Sequence, residues 1–304
     1  MAGYSNNRRD DPRRERNRQI LENTLETAER GRYIAGGRMI GLPYNRTQIR
    51  TAITYVGGTL DALRQDMQLN GPARDISSIR FSCENTDTLA LTWKRYRECL
   101  AEGEKAPKVL VQNLASAVHP GGGVRNGATA QEEDLCRKTS LLLSLESNAA
   151  KPFYDYNWSL NSKLGSDAVI ISPCVEVMKD SGCSLLAEPY PIGVITCAAP
   201  NIRNGLEGRT QAQYRELLRR RIMTILCCAA ENGYRHLVLG AFGCGVFGND
   251  AALVSNLFMD CIRSFSYKGS TAAGSFETID FAVLCKPDND YNYREFARNF
   301  AGAK

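Results

Sequence analysis

Two histidines, His119 and His236, are all that the 304 residues contain. That scarcity removes whole chemistries. No His-Glu-x-x-His motif exists, and a cage of three histidines cannot be built. Proton transfer in such a chain falls mainly to carboxylates. Long apolar runs are also missing: none approaches the ~20 residues that a membrane-spanning helix needs. The first ten residues hold no apolar stretch of the kind a secretory leader has. Internal repeats and low-complexity tracts are absent. The eleven cysteines are odd in number and irregularly spaced, and no Cys-x-x-Cys pair occurs. Neither a disulfide framework nor a structural zinc site is therefore expected. Cys83, Cys174, Cys197, Cys227, Cys228 and Cys285 lie in apolar stretches and read as buried, reduced thiols of a cytoplasmic protein.

What remains is the composition of an ordinary globular chain, 43% hydrophobic and 23% charged, with a formal net charge of +5. Its length fits one large domain or two small ones. Part of the basic excess is local, between Arg8 and Arg18. Such a run is either an arm for anions or nucleic acid, or a solvated segment leading into a helix. The aromatic side chains of a single-strand stacking platform are missing there. Neither nucleic acid nor a membrane is an expected partner.

Periodicity divides the chain near residue 75. Residues 13–30 read as a helix with Ile20, Leu21, Leu25 and Ala28 on one face. Residues 47–69 read as a second helix, interrupted at Gly57 and Gly58. Residues 1–75 are thus expected as a helical extension packed outside the sheet, in one unit with a core spanning 76–304. In that core, strands are expected at 79–83, 108–113, 168–172, 193–197, 236–240 and 278–284. Helices are expected at 86–101, 130–146, 211–232, 250–265 and 290–302. The alternation, with several strands apolar throughout, predicts an α/β fold: a mixed, mostly parallel sheet between helices. Ligands of such folds bind beyond the carboxyl ends of the strands.

Two glycine-rich loops leave from those ends. The first carries Gly121, Gly122 and Gly123, followed by Gln131, Glu132 and Glu133 at a helix start. Consecutive glycines let the backbone lie directly against a ligand, and a helix N-terminus offers unpaired N–H groups. An ordinary loop before an acidic first turn would look alike. The second loop follows a buried strand and holds Gly240, Gly243, Gly245 and Gly248. It reads as a nest of N–H groups for phosphate or as a tight turn. It lacks the Gly-Lys-Ser/Thr ending of a nucleoside-triphosphate loop and the third glycine of a dinucleotide fingerprint.

Three glycines, a short spacer and Gln131-Glu132-Glu133 resemble the signature of poly(ADP-ribose) glycohydrolases. The stretches 111–117, 171–180, 189–201 and 239–249, with the basic N-terminal helix, resemble the microbial branch of that family. The resemblance runs from about residue 13 to 300. It implies a macrodomain with an N-terminal helical extension, no cofactor, and cleavage of the ribose–ribose bond of poly(ADP-ribose) to give ADP-ribose. It implies that Glu133 is catalytic and that Glu132 holds the ribose. It places Gly121, Gly122 and Gly123 against the distal ribose and counts Asn113 and Gln131 among the ADP-ribose-binding residues. Gly243, Cys244, Gly245, Val246 and Phe247 would hold the diphosphate, with Phe247 packing on that ribose. His119 stands where Asn, Lys or Arg is usual in the family, and Phe242 where Trp is common.

Adjacent helical residues point about 100° apart, so the two glutamates are not expected to address one atom. A single Glu then protonates the leaving hydroxyl and deprotonates the incoming water. The helix N-terminus lowers a carboxylate pKa while an acid needs it raised, so burial must outweigh the dipole. The composition requires no metal. Two other readings share the fold: a hydrolase for mono-ADP-ribosylated proteins, and a macrodomain that binds ADP-ribose without cleaving it.

Overall fold

The structure, a computed structural model, describes residues 11–302. Arg8 and Arg9 of the basic run therefore lie outside the described residues. Helix α1 (Pro12–Arg30) starts with Asp11 as N-cap and Pro12 in the first turn, and ends at Gly31 in the left-handed region. A hairpin follows, β1 (Arg32–Ala35) and β2 (Arg38–Gly41). The chain continues through β3 (Ile53–Tyr55), α2 (Gly58–Gln65), β4 (Arg80–Glu84), α3 (Thr88–Ala101), β5 (Val109–Leu114), α4 (Gln131–Lys138), α5 (Leu141–Leu145) and α6 (Lys151–Ser159). The second half runs β6 (Val169–Lys179), β7 (Leu185–Cys197), α7 (Gln211–Glu231), β8 (His236–Gly240), α8 (Ala251–Ser264), β9 (Ser266–Tyr267), β10 (Ser270–Thr271), α9 (Ala272–Ser275), β11 (Thr278–Ala282) and α10 (Tyr291–Phe300).

Seven strands form one sheet in the order β3-β6-β7-β5-β8-β11-β4. The five from β7 to β4 are parallel, and β6 runs against β7. Side chains alternate across it. Leu110, Leu237 and Leu239 enter the core under α7 and α8. Val109, Val111 and Val238 enter the opposite core, where Leu21 of α1 and Leu135 of α4 pack. Both faces are covered, which is why Val109–Val111 and Leu237–Leu239 are apolar on both sides of the sheet. No helix among the described residues is long and apolar enough to cross a membrane.

The reading of residues 1–75 as helices alone is corrected. The hairpin β1–β2 turns on Gly36 and Gly37, both at positive φ; Gly-Gly between apolar runs is a hairpin signal. Within 47–69, Ile53, Thr54 and Tyr55 pair with Ile171, Ile170 and Val169 as an edge strand of the main sheet. Two β-branched residues and an aromatic favour that state, and Gly57 at φ 53° separates the strand from α2. The expected helix 130–146 also breaks. Thr139 bridges to Val177, and Ser140 exchanges hydrogen bonds with Glu176: its N–H donates to Glu176 O at 3.1 Å, and its Oγ accepts from Glu176 N–H at 3.0 Å. Strand β6 thus captures the backbone between α4 and α5.

Helix α1 is fastened to the helix that carries the glutamates. Thr24 Oγ1 donates to Arg137 O at 2.5 Å, and Lys179 Nζ donates to Thr24 Oγ1 at 2.7 Å and to Ile20 O at 3.0 Å. Burial pushes this lysine down to about 8.

Candidate active site

Strands β5 and β8 are neighbours, and the two glycine-rich loops leave from their adjacent carboxyl ends. Between them lies a cavity of about 930 Å³, lined by Gly122, Gly123, Gln131, Glu132, Glu133, Gly243, Gly245, Val246 and Phe247 among others. The structure therefore gathers most of the residues expected from sequence into one hollow.

Gln131 joins the start of α4 to the strand behind it. Its Oε1 accepts from Leu114 N–H at 2.9 Å, and its Nε2 donates to Gln112 O at 2.7 Å. Both ends of the amide are engaged by protein, so its action is to position the helix. Gln112, which sequence reasoning passed over, ties the second loop: its Oε1 accepts from Gly240 N–H at 3.1 Å.

Glu132 is buried. Its Oε1 accepts from Asn113 Nδ2 at 3.3 Å and its Oε2 from Ser116 N–H at 2.7 Å. Desolvation pushes its carboxyl up to about 8, against the lowering effect of those N–H donors and with a raising effect from Glu133. Burial thus outweighs those donors at Glu132. Glu133 is also buried; its Oε1 accepts from Gly123 N–H at 2.8 Å, while its Oε2 has no partner among the described residues. A buried acceptor left open is costly unless a proton or a ligand hydroxyl meets it.

Gly121 and Gly122 adopt φ of 68° and 59°. A Cβ on Gly122 would lie 2.6 Å from Glu133 Oε1 and 2.8 Å from Glu132 Oε2. The two carboxylates therefore converge at their tips, although the side chains leave the helix in different directions. The expectation that they address no common point is corrected. The bare glycine leaves room for both.

The second loop is braced from behind. Asn249 Nδ2 donates to Pro200 O at 2.9 Å and to Gly243 O at 3.0 Å, and its Oδ1 accepts from Tyr214 OH at 2.6 Å. Buried Arg221 holds the same wall through Ala198 O at 2.8 Å. Gly243 sits at φ 74° against Ala199 and Asn249. Among the described residues, the N–H groups of Gly245, Val246 and Phe247 donate to no protein acceptor. Three successive free N–H groups suit an anion. Cys244 packs behind them; its N–H is bonded to Ala241 O at 3.0 Å, and burial raises its thiol. Gly245 differs from Gly243: its φ is not positive and a Cβ there meets nothing.

Three further lining residues come from α1, namely Arg13, Arg14 and Asn17. Arg14 Nη1 donates to Asn126 O at 2.9 Å and Asn17 Nδ2 to Gly127 O at 3.0 Å. His119 lines the cavity and is exposed.

All eleven cysteines are unpaired; Cys174 and Cys285 are half-buried rather than buried. Among the described residues one trio could hold a metal: Cys99, Glu104 and His236. His236 opens β8, so the trio lies at the opposite end of that strand from the cavity. His236 Nε2 is 2.8 Å from Glu104 Oε1, and its Nδ1 is 3.1 Å from Thr278 Oγ1.

Comparison with known proteins gives a consistent picture. Residues 22–180 match the family described as the catalytic domain of microbial-type PARG. The poly(ADP-ribose) glycohydrolase of Thermomonospora curvata, solved with the inhibitor ADP-HPD, is 35% identical over 94% of this chain and 100% of that one, with a TM-score of 0.79. A second structure of the same enzyme is 36% identical over the same shares, TM-score 0.79. The poly(ADP-ribose) glycohydrolase of Deinococcus radiodurans in complex with ADP-ribose is 34% identical over 86% of this chain and 98% of that one, TM-score 0.70. No curated protein matches.

Proposed function

The chain belongs to the microbial-type poly(ADP-ribose) glycohydrolases, and we propose from this and from the cavity that it hydrolyses the ribose–ribose bond of poly(ADP-ribose) and releases ADP-ribose. The distal ribose lies against Gly121, Gly122 and Gly123, within reach of Asn113. The diphosphate lies on the N–H groups of Gly245, Val246 and Phe247. Phe247 packs on the ribose.

The observation that carries the mechanism is the pair of buried glutamates converging over Gly122. With Glu132 pushed up to about 8, the pair retains a proton at neutral pH, and that proton belongs to the pair. Glu132 is held on both oxygens, whereas Glu133 has Oε2 open. Glu133 is thus the member that delivers. It protonates the leaving 2′-oxygen as the bond to the anomeric carbon breaks, and positive charge spreads over that carbon and the ring oxygen. A water then attacks the carbon and gives its proton to the Glu133 carboxylate. One water is consumed, and Glu133 ends protonated as it began. Most glycosidases flank the bond with two carboxylates; here one serves both steps and Glu132 positions the ribose.

Residues 11–75 act with the core as one unit, and the unpaired thiols fit a reducing, cytoplasmic setting. The test is to incubate the protein with automodified polymerase and identify the products by mass. Free ADP-ribose is the expected product. Binding of ADP-ribose with none released would make the protein a reader. Release from singly modified acceptors alone would make it a mono-ADP-ribosyl hydrolase.

A further inference from the structure

The active-site cavity continues past the glutamates in two directions. On one side it meets a second cavity of about 450 Å³, with which it shares Leu114, Gln131, Ala241 and Gly245. That second cavity reaches Asp87 and Leu284, just past β4 and β11, and Asn292 in the first turn of α10. On the other side the wall passes from Gly123 to α1. A Cβ on Gly123 would meet Ala128, and one on Gly127 would run into the backbone of Arg14. The first turn of α1 therefore packs directly on the loop that touches Glu133. Together the cavities form one trough, with Glu133 in its middle and Arg13 and Arg14 beyond it.

An ADP-ribose with its distal ribose at Glu133 and its diphosphate on the second loop would meet the second cavity at Gly245, which lines both. The group attached to the ribose would then have Arg13, Arg14 and Asn17, which line the active-site cavity alone, to follow. In the polymer that group is another ADP-ribose unit, which carries a diphosphate.

The two arginines suit such a group. Arg14 makes no ion pair among the described residues; its contact is one hydrogen bond to Asn126 O. Arg13 is 89% exposed and pairs with Asp11 through a long contact of 3.5 Å. Asp11 also lines the trough, but one of its oxygens already accepts Arg13 N–H as the helix cap. Elsewhere on α1, Arg18 pairs with Glu15 and Arg30 with Glu26. Arg13 and Arg14 are the arginines of this helix that line the trough, and Arg14 has no carboxylate partner among the described residues. A guanidinium fork takes phosphate oxygens in pairs.

We propose that Arg13 and Arg14 form a subsite for the diphosphate of the ADP-ribose unit on the leaving side of the bond. This rests on the polymer-hydrolase reading. It gives the basic start of α1 a part in choosing polymer over smaller substrates.

The test compares two substrates of the same chemistry: poly(ADP-ribose), and an aryl glycoside of ADP-ribose that has no second unit. The variants are Arg13→Glu and Arg14→Gln, with Arg14→Lys retaining charge without the fork. Arg13 is exposed, so its replacement leaves the fold intact. The ratio of kcat/KM on polymer to that on the aryl glycoside is expected to fall about tenfold for each neutralised or reversed arginine, the scale of one lost charged hydrogen bond. The fall should sit in KM for the polymer, with Arg14→Lys between wild type and Arg14→Gln. A wild-type ratio in both variants overturns the subsite. So does an equal loss on both substrates, which would mean that the arginines only shape the loop. A wild type that cleaves the aryl glycoside and leaves polymer intact overturns the activity reading, and is told apart from the other outcomes before any variant is made.

Discussion

Glu132 and Glu133 follow one another in α4, yet their carboxylate oxygens close on a single point, the place where Gly122 would carry a Cβ. Gly122 is held there at φ 59°. Each glutamate is anchored to a different stretch of backbone, Glu132 to Ser116 and Glu133 to Gly123. The glycine loop thus sets the carboxylates as much as the helix does.

Gly122→Ala should therefore cost activity far more than stability. The atoms that the new methyl meets are the ends of flexible side chains, which can swing away. The backbone strain of an alanine in the left-handed region is only about 1–2 kcal/mol. Displaced carboxylates, by contrast, are expected to cost about 10²-fold in kcat, since small misplacements near the reacting atoms are amplified. Steady-state kinetics beside a denaturant melt decides it. Wild-type turnover in a folded variant would show that the convergence has no catalytic use.

The two glutamates should separate by kinetics. Glu133→Gln keeps size and removes the proton, so turnover should fall about 10²–10⁴-fold while ADP-ribose still binds. Glu132→Gln retains one acceptor for Ser116 N–H, and its larger effect should be on ADP-ribose affinity. Rates of ADP-ribose release and calorimetric affinities for both variants give the answer. Wild-type turnover in Glu133→Gln would remove it from the mechanism.

Much of this site was legible in the sequence, and the reason is local. A glycine run and an acidic helix start lie next to each other in the chain, and each strand that feeds a loop carries an apolar run, Val109–Val111 and Leu237–Leu239. The whole of β8 and the start of α7 could be read from residue types alone. What could not be read depends on partners far along the chain. Ile53, Thr54 and Tyr55 became a strand because Val169, Ile170 and Ile171 lie beside them. Thr139 left its helix because β6 captured it. Asn249 braces the second loop through Tyr214, 35 residues away. The place of Arg14 at the active site depends on Gly127, more than a hundred residues on. No local pattern carries such pairings. The turn at Gly36 and Gly37 is different, since its signal stood in the sequence.

The second loop makes a paired prediction. Gly243 lies at φ 74° and its Cβ would press on Ala199 and Asn249, so Gly243→Val should distort the loop and weaken ADP-ribose binding. A β-branched residue is strongly disfavoured at such φ. Gly245 has ordinary φ and open space. Gly245→Val should fold normally and weaken binding only as far as its side chain obstructs the diphosphate. Calorimetry with ADP-ribose on both variants, after a check of folding, tests the pair. Equal wild-type affinity in both would dissociate this loop from the diphosphate.

Glu132 also makes the stability of the ligand-free protein depend on pH in a direction opposite to that of most carboxylates. Its folded-state value of about 8 lies above the ordinary value of 4.5. Below 4.5 the group is protonated in both states and costs nothing. Between 4.5 and 8 the unfolded chain releases the proton while the folded chain retains it, so stability is lost as pH rises. The loss runs at up to about 1.4 kcal/mol per pH unit for a fully shifted group. Above 8 both states are ionised and the loss stops growing. Glu132→Gln removes this term, because an amide does not titrate in the range. The difference in unfolding free energy, variant minus wild type, should therefore rise by a few kcal/mol from pH 5 to pH 8, whatever its value at pH 5. Urea melts of both proteins across that range measure it. A flat difference would mean that Glu132 is ionised in the folded protein. Saturating ADP-ribose offers an internal control: if its hydroxyls or its charge alter the environment of Glu132, the slope of the wild type should change on binding, and that of the variant should not.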